Sequence, residues 1–189
     1  MKEKALMMFV ETTATSVKPH RATQPEKPIL RIEGGSPLIG VIPISGSKNA
    51  ALPLMIATLL TADKVTLEHL PRIRDVWVLA DILRDLGAVI DWEQATNGLA
   101  QLQTSHIRQY QLYHPLIRSM RASFLLAGPL LARLGKVSLP LPGGDAIGLR
   151  PVNFHLQGFQ QMGATVQIND PYITVEAPRG LKGAMITLP

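Results

Sequence analysis

Part of the pattern along this chain is written twice, and few folds accommodate that. "KVTLEHL" from Lys64 returns as "KVSLPL" from Lys136, and "VWVLADILRDLG", ending at Gly87, returns as "VNFHLQGFQQMG", ending at Gly163. After each glycine the pattern is strand, turn, strand: "AVIDW" and "LAQLQ" around Asn97-Gly98, then "ATVQINDPYITVEA". Val76, Leu79, Leu83 and Leu86 recur at helical spacing with Gly87 as a stop, and the Asn-Gly dipeptide reads as a hairpin turn. Val65 and Val137 lie 72 residues apart, whereas Gly87 and Gly163 lie 76 apart. Two copies of a β-α-β-β unit are therefore expected, an α/β class, the second carrying four extra residues between its first strand and its helix. The extra length falls in "LPLPGGDAIGLRPVNF", residues 139–154. A glycine-rich enlargement on one copy of a repeated scaffold is what a functional loop on a rigid frame looks like.

Outside the copies, residues 1–28 lack sustained periodicity and end in Pro-, Thr- and charge-rich sequence, which predicts a flexible leader. "LRIEG" and "GVIPISG" read as short strands, and "KNAALPLMIATLL" as a helix that tolerates Pro53 near its start. Between the copies, "HPLIRSMRASFLLAGPLLARLG" predicts one helix with Pro115 in its first turn. Leu116, Met120, Phe124 and Ala127 would trace its apolar face, with Arg118 and Arg121 together on another.

Composition narrows the function. The chain has 189 residues, 46% of them hydrophobic, enough for a substantial core. No window approaches the roughly 18 to 20 continuous apolar residues of a membrane span, and the early run Ala5 to Val10 is cut off by Glu11, so a cytoplasmic protein with no membrane partner is expected. There is no cysteine, which excludes disulfides, thiolate metal sites and a cysteine nucleophile. The net charge of +5 suits an anionic partner. The basic residues are scattered and only 5% of the chain is aromatic, which favours a small anion over nucleic acid. The histidines show no metal-ligand spacing, and no metal or cofactor is implied.

Three stretches carry chemistry. In "SGSKNAALP", a Gly-Ser turn entering a helix aims free backbone N–H groups outward, and Lys48 beside Asn49 adds a full positive charge. On spacing alone this is either a phosphate site or an ordinary helix entry with a solvated lysine. Arg150 before Pro151 repeats the logic at the second copy's helix start, where proline suits the first helical position and arginine can fork toward a carboxylate or phosphate. Gly143 and Gly144 free the backbone around Asp145, which is either a turn aspartate or an acid carried on a mobile tip.

Taken together, "SGSKNAALPL", "MRASFLLAGPLLARLG", "LPGGDAIGLRPVNFHLQGFQQMGA" and "LKGA" resemble the UDP-N-acetylglucosamine 1-carboxyvinyltransferase (MurA) enolpyruvyl transferase family, over residues 29–189 and in that family's order. The resemblance implies repeated β-α-β-β units forming part of an inside-out α/β barrel. It implies transfer of the enolpyruvyl group of phosphoenolpyruvate to the 3-hydroxyl of UDP-N-acetylglucosamine with release of phosphate, the committed step toward peptidoglycan. By position, Lys48 and Asn49 would hold phosphoenolpyruvate, Arg121 would line the anionic site, and Arg150, Pro151, Val152, Asn153 and Phe154 would contact the nucleotide. Asp145 would be the acid on a lid. Most of the family carries cysteine there and a minority aspartate, and Asn153 stands where aspartate is usual. "SGSKNAAL" and "PGGDAIG" fit the related shikimate-phosphate enolpyruvyl transferases poorly. The family's chains continue past "LKGAMITLP" and carry a general-base aspartate beyond it. The expected organisation is therefore a leader at 1–28, strands of the partner domain at 29–47, and an incomplete catalytic-side domain at 48–189, awaiting its C-terminal half or a complementing chain. The alternative is a noncatalytic sugar-nucleotide-binding or regulatory remnant.

Asp145 can give up a proton only if it holds one. From a reference pKa of about 3.9, remaining protonated near neutrality requires on the order of 4 kcal/mol of differential interaction. Burial beside the anionic substrate would supply it, with Lys48 opposing. The hypothesis is that Asp145 is held protonated in the closed complex. The basic limb of the pH–rate profile should then be lost in Asp145→Asn, and a limb left in place would refute it.

Overall fold

Short runs of alternating polarity place β1 at Lys64–Leu67 and β4 at Lys136–Pro140. The computed structural model describes residues 30–35, 37, 39–93, 98–141 and 151–187. After β1 the chain forms α2 (Arg74–Asp85), β2 (Val89–Glu93) and β3 (Leu99–Gln103), and after β4 it forms α4 (Asn153–Gln161), β5 (Thr165–Asn169) and β6 (Tyr172–Glu176). The two sheets have the same order, β1-β3-β2 and β4-β6-β5, with every pairing antiparallel. The first two strands of each copy thus run parallel across a helical crossover, and the third inserts between them.

The register repeats as well. Val65 and Ile90 flank Leu102 in the first sheet, and Val137 and Val166 flank Val175 in the second, each making an apolar row across three strands. Each crossover helix ends on a left-handed glycine, Gly87 at φ 101° and Gly163 at φ 91°. The following alanine N–H closes back on the helix: Ala88 to the Leu83 carbonyl and Ala164 to the Phe159 carbonyl, both at 2.9 Å. The duplication read from the sequence is therefore a duplication of structure.

The repeat is longer than its strands suggested. A helix also precedes each first strand: α1 (Lys48–Ala57), followed by a 3-10 turn at Thr58–Leu60, and α3 (Ala127–Leu134). The segment before α3 departs from the single helix expected. It forms two 3-10 turns, Pro115–Ser119 and Arg121–Leu126, separated by Met120 in an extended conformation at φ −139°. The break has a polar cause. Buried Ser123 Oγ lies 2.7 Å from the carbonyl oxygens of both Ile117 and Met120, and its single proton can be donated to either of these groups, which a continuous helix would have paired internally. Arg118 and Arg121 consequently do not share a helical face, and Ile117, not Leu116, is fully buried.

The chain divides into two compact units, Met1–Ile42 and Pro43–Pro189. In the first unit the described residues form no helix or strand, and Leu30, Ile32, Ile39, Val41 and Ile42 are exposed. The strands expected in "LRIEG" and "GVIPISG" are thus not formed. Isolated strands leave a ladder of backbone groups unpaired, and none of the described residues offers them a partner. Among the described residues no helix is long and apolar enough to cross a membrane.

In the second unit, buried side chains from both repeats form one cluster. Val76, Leu79 and Leu83, the stripe expected on α2, are fully enclosed, and Leu86 nearly so. A polar node ties the copies together at its edge. Arg133 Nη1, from α3, donates to the Leu59 carbonyl at 3.1 Å and to Thr104 Oγ1 at 2.9 Å. The Thr104 hydroxyl in turn lies 2.7 Å from the Thr61 carbonyl. On the surface, Lys136 and Glu176 face each other across β4 and β6 with an ion pair of 2.7 Å, and the hydrogen bond to Glu176 holds the lysine above its ordinary pKa.

Thr104 is completely buried, so removing its hydroxyl while keeping its shape takes away a donor to the Thr61 carbonyl and an acceptor for Arg133 Nη1. Thr104→Val is expected to lower stability by about 1–3 kcal/mol, seen as a reduced denaturation midpoint at unchanged slope.

Candidate anion-binding cleft

α1 begins where Gly46 passes close beneath the backbone of His69. A Cβ on Gly46 would lie 1.7 Å from the His69 carbonyl oxygen, so only glycine admits this approach. Ser47 precedes the helix without a side-chain cap; its carbonyl accepts from Ala51 at 2.9 Å and from Ala50 at 3.3 Å. The N–H groups of Lys48 and Asn49 have no acceptor one turn back, because the first N–H groups of a helix never do.

Asn49 lines a cleft of about 280 Å³ together with Leu52 and Pro53 of α1, Arg121, Phe124 and Leu125 of the second 3-10 turn, and Val152 and His155 at the start of α4. Phe124 floors it and meets the His155 ring edge-on, with centroids 5.5 Å apart. Three facing pairs, Asn49 with Arg121, Leu52 with Phe124 and Pro53 with Leu125, are each separated by the same 72 residues as Val65 and Val137. The cleft is therefore built by equivalent positions of the two repeats. One repeat contributes an amide and the other a guanidinium.

The expected site residues divide accordingly. Asn49, Arg121 and Val152 meet at the cleft. Pro151 contributes its carbonyl, which accepts from Arg121 Nη2 at 3.0 Å. It lies before the helix, since α4 begins at Asn153 with Val152 as its cap, so the expectation of a proline at the first helical position is corrected. Asn153 and Phe154 are exposed on the first turn of α4 and do not line the cleft. Lys48 does not line it either; its ammonium is paired with the Asp75 carboxylate from the first turn of α2. Asp145 and Arg150 lie outside the described residues.

Asp75, Phe124 and His155 were not among the residues expected at the site. The repeat offset would have exposed Phe124, as the counterpart of Leu52. Asp75 and His155 carry no such signal, because their partners come from elements distant in sequence.

Asn49 and Arg121 bring an amide and a guanidinium to a cleft between the two repeats of an α/β fold. Solved enolpyruvyl transferases share the fold. NikO from Streptomyces tendae superposes with a TM-score of 0.67 at 23% identity over 78% of this chain and 32% of its own, and EPSP synthase from Acinetobacter baumannii with 0.57 at 21% over 76% and 33%. The model of the EPSP synthase (3-phosphoshikimate 1-carboxyvinyltransferase) family matches residues 32–189, and the chain belongs to that family. Among curated relatives, the UDP-N-acetylglucosamine 1-carboxyvinyltransferases of Nitratiruptor sp. and Agrobacterium fabrum are 46% and 48% identical over 83% and 85% of this chain. The chain spans 37% and 39% of their lengths.

Gly46 holds the entry to α1 against His69. Gly46→Ala should force these backbones apart, lowering stability by about 1–3 kcal/mol and shifting the amide resonances of Lys48 and Asn49; unchanged resonances would contradict this account of how the site is positioned.

Proposed function

We propose that this chain supplies the phosphoenolpyruvate-binding side of an enolpyruvyl transferase that joins the enolpyruvyl group to the 3-hydroxyl of UDP-N-acetylglucosamine and releases phosphate. The observation that carries the reading is the meeting of Asn49 and Arg121 across one cleft, in a chain 46% identical to a relative named for that substrate. In this reading Asn49, Arg121 and Lys48 hold the phosphate and carboxylate of phosphoenolpyruvate at the start of α1, where helix N–H groups favour negative charge. The nucleotide lies along Arg150, Pro151, Val152, Asn153 and Phe154.

The sugar hydroxyl attacks C2 of phosphoenolpyruvate while C3 takes a proton from Asp145. The intermediate then loses phosphate from C2 and a proton from C3, regenerating the double bond. Held cations stabilise the phosphate as it leaves. The base that accepts the hydroxyl proton comes from outside this sequence. In this reading residues 29–47 supply strands to the partner domain. The reaction serves peptidoglycan synthesis, and through it cell shape and division, in the cytoplasm.

The test measures phosphate release from phosphoenolpyruvate with UDP-N-acetylglucosamine, and separately with shikimate 3-phosphate. It uses this chain alone and supplemented with the carboxy-terminal portion of a relative. Release is expected only from the supplemented chain with the nucleotide sugar. Removing the guanidinium in Arg121→Met should reduce it by about 10²-fold or more. Release with shikimate 3-phosphate instead would overturn the substrate, and nucleotide-sugar binding with no release would favour the noncatalytic remnant.

A further inference from the structure

The turn that leads to Arg121 begins on a residue that seldom starts one. Pro115 has no N–H, so Leu116 carries the first backbone donor of the turn Pro115–Ser119, and it donates to His114 Nδ1 at 3.1 Å. Serine, threonine, asparagine and aspartate are the common caps at such a place, and none of them changes its accepting power near neutrality. A histidine caps only while Nδ1 keeps its lone pair. The contact therefore fixes the tautomer. The proton of the neutral ring sits on Nε2, which faces the Asp85 carboxylate at the end of α2 at 3.6 Å.

A second proton would turn Nδ1 into a donor aimed at another donor, and the cap could not persist. The His114 side chain is only 14% exposed, but a cavity of about 210 Å³, lined also by Asp85, Gln109, Gln111 and Tyr113, gives the ring room to turn from Leu116. Asp85 stays available there as a partner for the charged ring. Arg84 of α2 is engaged by Asp81 at 2.9 Å, and Arg118 is exposed on the turn itself.

What the cap holds extends to the cleft. The His114 carbonyl accepts from the Ile117 N–H at 3.0 Å, and Ser119 Oγ donates to the Leu116 carbonyl at 2.6 Å. Ile117 is fully buried, and its carbonyl lies 2.7 Å from Ser123 Oγ in the next turn, Arg121–Leu126. Side chains, in place of a continuous helical ladder, thus join His114 to the turn that Arg121 opens, and Arg121 lines the cleft.

We propose that His114 is a positioning residue that makes the placement of Arg121 depend on pH: the neutral ring caps the preceding turn, and protonation releases that turn and displaces Arg121 at the cleft. The cap is present at the higher pH and lost as pH falls. Resting on the enolpyruvyl-transfer reading of the cleft, the anion held less tightly after release is phosphoenolpyruvate.

The experiment records the ring nitrogens of His114 and the backbone amides of Leu116 to Arg121 in the isotopically labelled chain from about pH 8 to about pH 5, the span in which histidines change charge. At the upper end the proton should be on Nε2 and absent from Nδ1. As pH falls, the amides of Leu116, Ile117 and Arg121 should shift with the midpoint of the ring. His114→Asn, which caps but does not titrate, should abolish this common transition; His114→Ser is a second cap of that kind if the asparagine variant does not fold. With the carboxy-terminal portion of a relative added, phosphoenolpyruvate affinity should fall over the same span about threefold more in the unaltered chain than in His114→Asn, the scale of one cap. A proton on Nδ1 at the upper end, a ring that never changes charge, an Arg121 amide that ignores the ring, the same transition in His114→Asn, or an equal fall in affinity would each overturn the proposal. If the amides behave as expected and no form binds phosphoenolpyruvate, the transferase reading fails and the role of His114 in placing Arg121 stands.

Discussion

Neither three-stranded sheet can cover its own apolar face, and so the two repeats must share one core. The rows through Leu102 and Val175 each require a second layer, which the helices supply, and the enclosed side chains join in a single cluster. α3 packs against the 3-10 turn that ends α1, while α1 packs against the turn that leads into α3. The polar groups at that junction cannot be left to water. Arg133 reaches out of the second repeat to the Leu59 carbonyl and Thr104 of the first, and so links the copies by hydrogen bonds as well as by packing.

The same junction produces the cleft. Because the copies pack through equivalent elements, the starts of α1 and of the turn at Arg121–Leu126 face each other, and residues 72 apart in sequence become neighbours across the opening. Helix starts present unpaired N–H groups wherever they occur. Lys48 meets the Asp75 carboxylate, and Arg121 donates to the Pro151 carbonyl.

Much of the frame was legible in the residues. The α2 stripe, the stop glycines, the pairing of β2 with β3 and the 72- and 76-residue offsets all depend on local chemistry, which a sequence displays directly. The expected single helix from Pro115 onward failed because Ser123 found buried carbonyl partners that make two 3-10 turns the better-satisfied arrangement. The described residues before Ser47 form no strand, for a complementary reason. A strand is a relation between two segments, and apolar alternation in one of them does not supply the other.

By itself, then, the sequence determined the duplication, the length and type of most elements, and the chemical character of Lys48, Asn49 and Arg121, since each of these resides in residues near one another along the chain. Tertiary structure alone decided that Asn49 and Arg121 share an opening, that Lys48 turns to Asp75, and that Phe124 and His155 form part of the wall. Those outcomes depend on how two packed repeats orient their helix starts, and packing is set by the fit of whole surfaces, which no local spacing encodes.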